Sequence, residues 1–110
     1  MTDDELQRRL ASNEAVFRKV NEGIERGRWP GEVGERIGFR CECARLGCNL
    51  LLELTSTEYE HVRAEPNRFV MIGGHEMTKL ETVITRMPGY VIVEKFDEAG
   101  ERAQATDPRP

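Results

Sequence analysis

The chain has 110 residues, 38% of them apolar and 33% charged, with a formal net charge of −4. That length leaves room for one domain, and that composition for only a small core. The charges alternate in sign without a long basic run, which excludes a domain held to nucleic acid mainly by phosphate neutralisation, and no apolar run approaches the length of a membrane span.

The opening MTDDELQRRL has none of the build of a signal peptide, so a cytoplasmic protein is expected. Three cysteines, an odd number, in a reducing compartment argue against a disulfide framework. Leu6, Leu10, Phe17, Val20 and Ile24 form a heptad-like stripe, with Asn13 filling the gap, and predict a helix from Asp3 to Arg26. Ser12 or Asn13 could instead cap a shorter helix beginning there. The stripe either packs on its own domain or pairs with a helix of a partner protein; so few heptads make a free-standing coiled coil marginal. Gly23 and Gly27 weaken the far end, and GRWPGEVGE breaks it. Trp29, the single tryptophan, either tucks the helix onto the sheet or touches the partner. Residues 1–34 are therefore read as a helix and linker.

Ile37–Phe39 reads as a short strand running into the cysteines, and CNLLLEL (48–54) as the next. Thr55 and Glu58 make a capping box, which predicts a helix over Ser56–Ala64 that stops before Pro66. RFVMI (68–72) is a strand ended by Gly73-Gly74. LETVITR and YVIVEKF flank Met87-Pro88-Gly89 as a terminal hairpin, although Leu80, Val83 and Ile84 also fit a helical period. The last residues, DEAGERAQATDPRP (97–110), lack apolar content and are expected to stay disordered. The expected fold is α+β: an N-terminal helix, then a small, mostly antiparallel sheet with one short helix over residues 35–96.

All three cysteines fall within FRCECARLGC, spaced Cys41-x-Cys43-x4-Cys48. Thiolates suit zinc, and structural zinc is four-coordinate, so three sulfurs invite a fourth ligand. Cys41 and Cys43 would share a face of a strand, and Ala-Arg-Leu-Gly supplies the turn that returns Cys48, with Gly47 free to take a positive φ. His75 follows two glycines that let the backbone bend close and is the preferred fourth ligand; His61 (in a helix), Glu76 or water are the alternatives. Arg36, Arg40 and Arg45 give the region around the cysteines a modest positive excess that either solvates it or, through Arg40 and Arg45, lowers a thiol pKa. A structural zinc contributes about 10–16 kcal/mol at neutral pH, against a net domain stability of about 5–15 kcal/mol, so such a site would decide whether this small core folds.

Cys41, Cys43, Cys48, Pro66, Arg68, Phe69, Gly74, His75, Glu76 and Val93-Glu94-Lys95, with NEAVFRKVNE in the first helix, resemble the pattern of a group of small bacterial proteins, often actinobacterial. The resemblance covers about residues 13–96. It implies that the cysteines and His75 belong to one site, and it implies no activity.

Catalysis finds little support. Glu76 beside His75 suggests metal-assisted hydrolysis, but three thiolates and a histidine would close the zinc shell. The deaminase order and spacing are not met, and the chain has no HExxH, phosphate loop or nucleophile elbow. The expected function is a small zinc-stabilised binding or regulatory module acting through protein–protein contacts at the N-terminal helix. The alternative is a thiol redox switch that releases zinc when Cys41 and Cys48 are oxidised.

Overall fold

The computed structural model describes residues 3–27, 34–43, 45 and 47–109, and for residues 3, 4, 6 and 7 the backbone alone. Trp29 and the side chain of Leu6 lie outside the described residues. In chain order the elements are α1 (Asp3–Arg26), β1 (Arg36–Arg40), β2 (Leu51–Thr55), α2 (Ser56–Arg63), β3 (Arg68–Met71), β4 (Glu81–Met87), β5 (Tyr90–Lys95) and α3 (Asp97–Ala105). The architecture is α+β, and α1 spans the full predicted range without a break at Ser12 or Asn13. Among the described residues no helix is long and apolar enough to cross a membrane.

The strands form two small antiparallel sheets, β1–β2 and β3–β5–β4, rather than one. The sheets meet just past the end of β1. There the Glu42 N–H donates to the Val70 carbonyl at 2.8 Å, while the Val70 N–H donates to the Glu42 carboxylate at 3.0 Å. A side-chain oxygen takes the donor that a strand carbonyl would have used, so the ladder stops after one backbone bond. β4 is a strand, and Gly89, at φ +89°, makes the hairpin turn after Pro88. The Thr55–Glu58 capping box forms with both of its bonds.

Phe39, Leu52, Leu54, Tyr59, Val62, Val70 and Tyr90 make one core cluster, in which the Phe39 and Tyr59 rings stack at 4.4 Å. Phe69, Met71, Val91, Val93 and Ala103 gather around Cys41 and Cys43 in a second cluster. The face of α1 turned inward is polar, however. Glu14, Arg18, Asn21 and Glu22 are buried, while Leu10, Phe17 and Ile24 are half-buried and Val20 is 39% exposed. The sequence stripe therefore runs along the margin of the contact, not its centre.

The charges beneath α1 are paired. Lys95 Nζ lies 2.9 Å from Glu14 and 2.7 Å from Glu81, all three buried. Arg18 donates to the carbonyls of Pro66 and Ala103 and sits over the Phe69 ring. Arg63 bonds Glu22 and Asp107.

The segment expected to be a disordered tail is instead the helix α3, followed by an ion-paired end. It docks through small residues, Ala99, Gly100 and Ala103, which supply none of the large apolar side chains that flag a helix in sequence. A Cβ at Gly100 would lie 2.8 Å from the Lys95 carbonyl oxygen, so the close approach requires glycine. Arg109 then pairs with Glu22 at 2.8 Å and Glu60 at 2.7 Å.

Candidate metal centre

Strand geometry brings the four predicted side chains together. β1 delivers Cys41 and Cys43 beyond its end. Gly47, at φ +81°, turns the chain back, and Cys41 N–H donates to the Leu50 carbonyl at 3.0 Å to close the loop that carries Cys48. His75 comes from the turn after β3, where its N–H donates to the Ile72 carbonyl at 3.0 Å and Gly74 takes φ +96°. Two further bonds tie the loops to one another: Arg45 donates to the Gly74 carbonyl at 2.8 Å, and Ile72 N–H donates to Cys41 Sγ at 3.2 Å.

His75 Nδ1 lies 3.4 Å from Cys43 Sγ, 3.7 Å from Cys41 Sγ and 3.8 Å from Cys48 Sγ, and all four donor atoms lie within 4.8 Å of one another. Zinc bonds of about 2.3 Å to sulfur and about 2.0–2.1 Å to nitrogen at tetrahedral angles would separate nitrogen and sulfur by about 3.6 Å. The observed separations straddle that value. Three soft donors and an imidazole at this spacing form a group able to hold one metal ion, through Nδ1 rather than Nε2.

The thiols differ in setting. Burial pushes the Cys41 thiol up, and burial together with the neighbouring sulfurs pushes Cys43 up to about 12. Burial acts in the same sense on Cys48, but hydrogen bonds from the Leu50 N–H and from the Cys43 and Cys41 thiols, with the Arg40 cation, outweigh it and bring Cys48 below its usual value. A metal would have to displace protons from the buried pair, so its binding is coupled to proton release.

His61 is exposed on α2 and is not in the cluster. Glu76 is not in it either; its carboxylate accepts the Gly74 N–H at 2.7 Å, which together with its own N–H holds it below the usual carboxylate range. A residue that sequence reasoning missed is Glu42, between the two buried cysteines and fully buried itself. Its carboxylate accepts from Tyr59 O–H at 2.7 Å, Asn21 Nδ2 at 2.9 Å and Val70 N–H at 3.0 Å, and desolvation pushes its pKa up. Asn21 also pairs with the Arg40 backbone, accepting its N–H at 2.7 Å and donating to its carbonyl at 2.9 Å. No local signal flags Glu42, because its partners Asn21, Tyr59 and Val70 lie 17 to 28 residues away along the chain.

No family model, curated protein or solved structure matches this chain.

Proposed function

We propose that Cys41, Cys43, Cys48 and His75 bind one structural zinc ion, and that the chain is a zinc-clasped module acting through contacts with other proteins. The single observation that carries this reading is the convergence of three sulfurs and His75 Nδ1 at separations of 3.4–3.8 Å. Zinc suits a closed shell of three thiolates and an imidazole. All four positions of that shell are filled by side chains, which supports a structural role over hydrolysis with Glu76. The group of small bacterial proteins that the sequence resembles remains the proposed kinship, and the cell interior, where thiols stay reduced, the proposed location. α1 supports the binding role by presenting Val16, 56% exposed, and Val20 one turn on.

The test is metal analysis of purified wild-type protein beside Cys43→Ser and His75→Ala. One zinc per chain is expected, with loss of metal and of cooperative unfolding in Cys43→Ser and weakened retention in His75→Ala. A folded, metal-free wild type overturns the reading; full retention in His75→Ala reassigns the fourth ligand.

Cys48 supports a second reading as a redox switch, because it alone of the three thiols is half-exposed. Peroxide would oxidise Cys48, a second cysteine would displace water to form a disulfide, and two thiolates would be lost to the metal. Millimolar peroxide should then release zinc from wild type, and a reductant should restore binding.

A further inference from the structure

We propose that the outer edge of β2 and the cleft beside it form a docking groove for an extended peptide of a partner protein, taken up by strand addition. This rests on the binding-module reading and gives it a partner class.

The Cys41–Leu50 pair is hydrogen-bonded, so the alternation of an antiparallel ladder makes Phe39–Leu52 and Ile37–Leu54 the next bonded pairs. The backbone groups of Leu51, Glu53 and Thr55 then point away from β1. The same alternation turns the Arg40 backbone outward on the other side, where Asn21 meets it, and the register holds on both edges. On the β1 side, Asn21 meets the Arg40 backbone and Val70 takes the Glu42 N–H just beyond it. On β2, Thr55 N–H bonds Glu58 Oε1 at 2.8 Å, and the Glu53 carbonyl accepts from Arg36 at 3.4 Å. Among the described residues β2 pairs on one side only, so Leu51 N–H and C=O and Glu53 N–H meet no strand there.

That open edge borders a cleft of about 480 Å³ lined by Leu51–Glu53 and by Met87, Pro88 and Gly89 of the β4–β5 turn; Arg36 and Glu58 also line it but neutralise one another as an ion pair at 3.2 Å. The volume falls within the roughly 300–1,000 Å³ of ligand sites. A strand laid there would meet two donors and an acceptor at β2, which is how extended peptides add to a sheet edge. The far wall favours one chain over a second copy, since a second copy would bring its own β1 against the turn. Side chains choose the peptide. Leu51 is 62% exposed, and Glu53, two residues on and so on the same exposed face, extends a carboxylate that is in no ion pair among the described residues. The fitting segment therefore carries an apolar residue and, two positions away, a lysine or arginine.

The experiment pans a displayed library of random octapeptides against metal-loaded wild-type protein. Winners are then measured as synthetic peptides by isotope-edited NMR. Enriched peptides should carry an apolar residue and a Lys or Arg two positions apart, in either order, and shift the amides of Leu51, Glu53, Met87 and Gly89. They should bind at least tenfold more weakly to Leu51→Pro, which removes an outward N–H while leaving the β1 pairing, and to Glu53→Lys. N-methylation of the peptide amides facing β2 should cause the same loss, whatever becomes of the variants. No enrichment over a bait-free control, shifts that map to α1, binding indifferent to N-methylation, or a concentration-dependent dimer through β2 overturns the proposal. Zinc content measured on the same sample separates the failures: peptide binding by metal-free folded protein sinks the zinc reading alone, and full metal without peptide binding sinks this one alone.

Discussion

The cysteine–histidine corner, half of it buried, and the buried interface beneath α1 are both polar, but they are satisfied in opposite ways. At the corner, three sulfurs and an imidazole converge, with two of the thiols pushed up toward the protonated form. The group has four donor atoms close enough together to hold one cation. Under α1, charge meets charge: Lys95 with Glu14 and Glu81, Arg63 with Glu22 and Asp107, and Arg18 with two carbonyls. The difference teaches where each region is vulnerable. On the zinc reading proposed above, the corner would depend on an external ligand, whereas the interface depends on every member of a set staying in place, because an unpaired buried charge is far more costly than a missing pair.

The largest effect should come from removing the metal. Titration with a strong chelator at neutral pH is expected to abolish cooperative unfolding measured by circular dichroism, since about 10–16 kcal/mol of binding exceeds the net stability of a small domain. The interface should fail by a smaller step. Lys95→Met leaves two buried carboxylates without their ammonium and should lose about 3–5 kcal/mol in urea denaturation, with zinc content unchanged. Equal loss of metal in this variant would mean that the two regions are not separable.

A pH series sharpens the contrast. One ammonium serves two carboxylates, and burial raises Glu14 from 4.5 to about 7. The native state thus holds a proton that the unfolded chain releases, so this contribution is full below about pH 4.5 and is lost as pH rises through 7. The corner runs the other way, gaining metal affinity as protons leave its thiols. Comparing wild type with Glu14→Gln from pH 4.5 to 7 should show a falling contribution in wild type that the variant lacks; parallel curves would show that Glu14 is ionised throughout. The smallest effect belongs to Arg109, whose side chain is 29% exposed. Arg109→Ala should reduce stability by about 1 kcal/mol or less, since solvent screens exposed ion pairs, and should do so less at high salt.

The two regions also differ in how much of them could be read from sequence. The cluster of candidate donors was legible because three cysteines fall within eight residues and glycines mark the bends that bring His75 in. α1 was legible in extent, since apolar residues at helical spacing report a helix whatever they touch. Its packing was not, because partners such as Arg63, Lys95 and Asp107 lie far along the chain, and nothing local distinguishes a buried arginine from a solvated one. β2 begins at Leu51 rather than Cys48 because Cys48 belongs to the ligand loop. The split of the sheet hinges on one carboxylate, Glu42, that occupies a backbone position. α3 escaped notice because Ala99, Gly100 and Ala103 dock by being small, a signal that composition reads as disorder.

X-ray absorption at the zinc edge of protein purified without added metal tests the central claim most directly. One zinc per chain, with three sulfur neighbours at about 2.3 Å and one nitrogen at about 2.0–2.1 Å, is the expected result. A cooperatively folded chain without metal, or a bound ion surrounded only by oxygen and nitrogen, would contradict it.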